Sequence, residues 1–139
     1  MTKSRQANIT SLAAMKSLAR EIAPMLAPGV PLLLYGGLGA GKTTFAREII
    51  RIITGEKGEI ASPTYPLLQT YGDVYHYDFY RLKNAAEVYE LDIDNALANK
   101  ITIIEWPEII EEYITSRRPC VKVEISLENG ERVAEIWQN

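Results

Sequence analysis

Several things are scarce in this chain, and each scarcity excludes a class of protein. One cysteine, Cys120, cannot close an intramolecular disulfide, and with one histidine, His76, no Cys/His metal cluster is available. Cys120 opens the apolar alternation Val121, Val123, Ile125, which makes it a reduced core thiol and not a nucleophile. Positive charge is not in excess: the net charge is −3, so the chain lacks the basic field of an autonomous nucleic-acid binder, and any RNA would be held by a partner. Long apolar runs are missing too. The basic start Met1-Thr2-Lys3-Ser4-Arg5-Gln6 is followed by a segment broken by Lys16, Arg20 and Glu21, which is neither a signal peptide nor a membrane span, and a cytoplasmic address is expected. At 139 residues the chain has room for one domain with a real core, without a large second domain. It contains no internal repeat, low-complexity tract or interdomain linker.

What the chain does contain is a glycine-rich stretch, Gly36-Gly37-Leu38-Gly39-Ala40-Gly41-Lys42-Thr43-Thr44, that fits Gly-x-x-x-x-Gly-Lys-Thr. In that pattern the loop amides surround phosphates, the lysine reaches β/γ oxygens and the threonine hydroxyl ligates magnesium. Its surroundings agree. Pro31 to Tyr35 reads as a buried strand, and Lys42 to Thr54 carries Phe45, Ala46, Ile49, Ile50, Ile52 and Ile53 on a broad apolar helical face. A helix that starts at the loop aims its free N–H groups and positive dipole end at an anion. A mere glycine turn would not need lysine followed by threonine.

Upstream, Ser11 to Leu26 has helical spacing and stops at Ala27-Pro28-Gly29. Downstream, Ser62-Pro63-Thr64-Tyr65 is open to two readings: a proline-stiffened switch that senses a γ-phosphate, or a turn whose hydroxyls bond nearby backbone. Leu67 to Tyr71 and Val74 to Phe79 flank Gly72-Asp73 as a hairpin. Alternation puts His76 and Asp78 on one face of its second strand, with Tyr75, Tyr77 and Phe79 on the other. His76 is either part of a magnesium-water or general-base arrangement or a hydrogen-bonded structural residue. Asn84 caps a helix from Ala85 to about Leu91, and Asp94 caps another from Asn95 to Asn99. Ile101 to Glu105 is a buried strand ending in an acid, which is either the carboxylate that parallel strands of a P-loop fold bring beside the metal or simply an acid at a strand's solvent end. Glu108 to Ile114 forms a short helix, and Cys120 to Leu127 with Arg132 to Trp137 form a terminal antiparallel hairpin around Asn129-Gly130.

The phosphate loop, Ser62-Pro63-Thr64-Tyr65, Tyr75-His76-Tyr77-Asp78-Phe79-Tyr80-Arg81-Leu82 and Ile104-Glu105-Trp106-Pro107-Glu108 stand in order over nearly the whole chain. In these the sequence resembles the TsaE (YjeE) family, bacterial P-loop ATPases of tRNA threonylcarbamoyladenosine synthesis. The resemblance implies one α/β P-loop ATPase domain over residues 1–139, with a mixed, mostly parallel central sheet flanked by helices and carrying antiparallel hairpins. It implies ATP on Gly37, Leu38, Gly39, Ala40, Gly41, Lys42, Thr43 and Thr44, and Mg²⁺ on Thr43 and Glu105. Lys42, Thr64, Asp78 and Glu105 become the catalytic set. It also aligns Ser11 with a nucleotide-contacting threonine and Arg132 with a C-terminal arginine near the nucleotide.

The implied partners are the TsaD and TsaB proteins, with tRNA reached through their complex and no membrane involved. No arginine is placed to complete the site, so slow hydrolysis alone and acceleration by a docked partner are expected. A small-molecule kinase and a nucleotide-gated binding module are the rival readings, and the Asp78 and Glu105 acids lean against the second. The chain departs from the family pattern at Gly37, where an acid is common, at Pro66, where a small polar residue is usual, and at Asp92, where glycine is expected.

Overall fold

The computed structural model describes residues 1–56, 60 and 67–139. The strand-loop-helix unit anticipated around the glycine stretch is present as β2 (Leu32–Tyr35) and α2 (Lys42–Thr54). All four residues of β2 are buried, as expected for a strand covered on both faces. Phe45, Ala46, Ile49 and Ile50 press α2 onto one face of the sheet, each large side chain contributing about 1.5–3 kcal/mol by leaving water.

Around β2 lie β1 (Thr2–Asn8), β3 (Leu68–Tyr71), β4 (Val74–Asp78), β5 (Ile101–Glu105), β6 (Val121–Glu128) and β7 (Glu131–Gln138), in the sheet order β1-β7-β6-β2-β5-β4-β3. The four central strands β6, β2, β5 and β4 are parallel, while β3, β7 and β1 add on antiparallel. This is the mixed α/β sheet expected from the sequence.

One face packs under α1 (Leu12–Ile22) and α2, with Leu32, Leu34, Ile103 and Val123 between. The other face carries Leu33, Tyr77 and Ile104 against Val88 of α3 (Ala85–Tyr89), Ile93 and Leu97 of α4 (Ile93–Asn99) and Ile114 of α5 (Glu111–Thr115).

Several local expectations need correction. Thr2–Asn8 carries no apolar alternation, yet it forms the edge strand β1, because pairing with β7 satisfies its backbone and Lys3–Glu135 and Arg5–Glu21 ion pairs tie it down. The first helix ends at Ile22 and continues only as a tight turn over Ala23–Met25, where Pro24 cannot donate an N–H. The fourth helix begins at Ile93, not after Asp94. Its preceding residue, Asp92, adopts φ 60°, a left-handed conformation that explains why glycine suits this position. The segment after Trp106 is a short tight turn, Pro107–Ile109, followed by α5 from Glu111, instead of one helix from Glu108.

Candidate phosphate and metal site

Parallel register brings the ends of three strands to one edge. Leu34 of β2 pairs with Glu105 of β5, and Glu105 pairs with Asp78 of β4, so both carboxylates end beside the loop that leaves Tyr35. Because residues 103 and 105 share a pleat, Glu105 faces the α2 side of the sheet, as do His76 and Asp78.

The loop itself is shaped by glycines that no other residue could replace cheaply. Gly36 has φ 143°, and a Cβ there would lie 2.4 Å from the Ile125 carbonyl oxygen. Gly41 has φ 108° and hands over to α2, whose first turn holds no acidic side chain to compete for an anion.

Lys42 is buried, and its Nζ donates to the carbonyls of Gly36 at 2.5 Å and Gly37 at 2.9 Å while lying 4.1 Å from the centroid of the Trp106 ring. Burial lowers its pKa, opposed by the charges of Glu105, Asp78 and Glu108. The Thr43 hydroxyl donates to Oε1 of Glu105 at 2.7 Å, and Oε2 of Glu105 lies 2.7 Å from Nε2 of His76. Asp78, 6% exposed, accepts the Tyr80 N–H at 3.0 Å, and burial raises its pKa above the usual carboxylate range.

These groups border a cleft of about 370 Å³ lined by the loop from Leu38 to Thr44, by Asp78 and Glu105, and by Tyr80, Arg81, Trp106 and Arg132. The structure therefore gathers Leu38, Gly39, Ala40, Gly41, Lys42, Thr43, Thr44, Asp78, Glu105 and Arg132 from the sequence-derived set. Gly37 stands at the loop's start and contributes its carbonyl to Lys42. Thr64, with the turn around it and Pro66, lies outside the described residues.

Ser11 does not border this cleft. Its hydroxyl accepts the Ala14 N–H at 3.0 Å as the cap of α1, and it lines a smaller hollow of about 190 Å³ shared with Met15, Gly41, Thr44 and Arg132.

The resemblance had aligned Arg132 with the nucleotide, and it lines the cleft; Arg81, which the sequence did not place there, lines it too. Arg132 donates from Nε to the Ala40 carbonyl at 3.0 Å and from an outer nitrogen to the Gly39 carbonyl at 3.5 Å. Tyr80 and Trp106, whose rings are 4.8 Å apart, were also missed as wall residues. The available signal was positional, since Trp106 directly follows β5, and Tyr80-Arg81 lies just past the end of β4, at the loop's edge.

The donors suit a hard cation. Thr43, Glu105 and Asp78 offer only oxygen, and no cluster of three or more His, Cys, Asp or Glu exists among the described residues, so a metal here would draw its remaining ligands from phosphate and water, as Mg²⁺ commonly does.

Fold and loop together define a P-loop protein. The family model for "Threonylcarbamoyl adenosine biosynthesis protein TsaE" matches residues 9–134, and the chain belongs to the TsaE family. It is 46% identical to the tRNA threonylcarbamoyladenosine biosynthesis protein TsaE of Rickettsia conorii over 129 residues, 89% of this chain and 73% of that one. Against the protein of the same name from Bacillus subtilis strain 168, identity is 33% over 108 residues, 74% of this chain and 66% of that one. The crystal structure of YdiB from Bacillus subtilis shares the fold with a TM-score of 0.70 at 24% identity, covering 98% of this chain and 86% of that one. Membership assigns the chain to tRNA threonylcarbamoyladenosine biosynthesis. Among the described residues no helix is long and apolar enough to cross a membrane.

Proposed function

We propose that the chain is a magnesium-dependent ATPase subunit that acts, in the cytoplasm, on a TsaD–TsaB complex and sustains its modification of the tRNA adenosine next to the anticodon. The observation that carries this reading is the contact between Thr43 and Glu105, with Asp78 one strand away in matching register. A loop that only retained phosphate would need neither acid.

Bound Mg²⁺ and the nucleotide would supply the labile phosphoanhydride and neutralise its charge. The chain's residues do the rest by positioning. Lys42 and the loop amides from Gly37 to Thr44 hold the phosphates, and Thr43 with Glu105 hold the metal. Asp78, whose burial raises its proton affinity, orients the attacking water, and Thr64 is the second candidate for that task. Arg132, anchored on two loop carbonyls, keeps the loop in shape beside the phosphates.

Partner control is supported by the rim of the cleft. Leu38 is 70% and Tyr80 49% exposed, two large apolar side chains standing at its mouth where another protein would cover them. The test is complementation of a bacterium depleted of its own TsaE, with threonylcarbamoyladenosine quantified in digested tRNA. The wild-type chain should restore the nucleoside and Lys42→Ala should not; restoration by Lys42→Ala would overturn the proposal.

A further inference from the structure

We infer that His76 is a positioning residue for the metal-holding carboxylate: its Nε2–H clamps one oxygen of Glu105 so that the other faces Thr43. This rests on the functional reading above and adds to it a residue whose role the sequence left open. His76 is fully buried and absent from the walls of the cleft, so it cannot meet an attacking water as a general base.

Its geometry is specific. His76 pairs with Ile103 across the β4–β5 ladder and reaches diagonally, two residues along, to Glu105. Glu105 is 2% exposed and, among the described residues, meets one partner on each oxygen, both at 2.7 Å: Thr43 on Oε1 and His76 on Oε2. Two bonds, one on each oxygen, fix the plane of a carboxylate that would otherwise rotate about its last torsion.

The two clamps differ in kind. Thr43 belongs to the phosphate loop and its hydroxyl is itself offered to the metal, whereas His76 sits on the neighbouring strand and has no duty toward phosphate. Only the histidine can hold Glu105 still while Thr43 changes partners.

The other ring nitrogen supports this assignment. Nδ1 is buried and has no hydrogen-bond partner among the described residues, so a hydrogen placed there would find no acceptor among them. The ring is thus held as the Nε2–H tautomer, which aims its single donor at Glu105. A histidine kept for fold alone would be expected to use both nitrogens.

The experiment titrates Mg²⁺ into protein carrying N-methylanthraniloyl-ADP and reads the Mg²⁺ concentration at half of the fluorescence gain. His76→Phe should need about 10- to 100-fold more Mg²⁺, with binding of the nucleotide in EDTA unchanged. His76→Gln places an amide N–H where Nε2 stood and should return the midpoint close to the wild-type value. A His76→Phe midpoint equal to wild type overturns the inference while leaving the functional reading intact; a wild-type protein that gains nothing from Mg²⁺ overturns both. Should His76→Phe not fold, nitrogen NMR of the wild-type imidazole decides. Hydrogen on Nε2 supports the clamp, and hydrogen on Nδ1 refutes it.

Discussion

The Thr43 hydroxyl donates to Glu105 across 2.7 Å although the two residues are 62 positions apart, which joins the first turn of α2 to the last residue of β5. The contact exists because both elements end at one edge of a parallel sheet, and it makes a definite demand on position 43. Thr43→Ala should lower partner-stimulated phosphate release by about 10²-fold, the usual effect of deleting one charge-stabilising group. Thr43→Ser keeps the hydroxyl and should keep most of the rate. Equal loss in both variants would assign the defect to packing and not to the oxygen.

Trp106 reports on Lys42. With Nζ 4.1 Å from its ring centroid, the indole senses the ammonium directly, and phosphate would draw that ammonium away. Adding ADP with Mg²⁺ should therefore change tryptophan emission. The chain has two tryptophans, and Trp137 lies beside Lys3 and Lys122 instead. Trp137→Phe should preserve the nucleotide-induced change and Trp106→Phe should abolish it.

Gly36 cannot carry a side chain. A Cβ would meet the Ile125 carbonyl oxygen at 2.4 Å, and φ 143° is costly for any L-residue. Gly36→Ala should lose at least about 1–3 kcal/mol of stability from the backbone conformation alone. Thermal or urea unfolding monitored by circular dichroism measures it. A melting temperature within error of wild type would show that β6 moves aside without cost.

Asp92 offers the opposite experiment. It holds φ 60° at the start of α4, with its carboxylate accepting from Asn95 at 2.9 Å on the surface. Glycine adopts this conformation freely, so Asp92→Gly should stabilise the fold by up to about 1 kcal/mol, net of its own entropy. The melting temperature should rise by a few degrees; a fall would mean the Asn95 contact outweighs the backbone strain.

Much of this site was legible in the residues because local chemistry and strand ends announce it. The loop pattern predicts Lys42 and Thr43, and an apolar strand ending in an acid predicts Glu105. Alternation placed His76 and Asp78 on one face, which the β4–β5 register bears out. What stayed hidden depends on contacts between distant segments. Thr2–Asn8 is a strand because β7 offers it an edge, and no periodicity in those seven residues records that. Arg132 meets Ala40 across 92 positions, so spacing alone could not bring it to the loop and only the family resemblance placed it near the nucleotide. The left-handed Asp92 was visible only as a departure from the expected glycine, and its cause emerged with the backbone angle.

The central claim is hydrolysis under partner control, and phosphate release from ATP with Mg²⁺, measured with and without TsaB–TsaD, tests it most directly. The basal rate should be slow, it should rise markedly when the complex is added, and that rise should be lost in Lys42→Ala and Glu105→Ala. Unchanged phosphate release on addition of the complex, or a Glu105→Ala variant as fast as wild type in its presence, would contradict it.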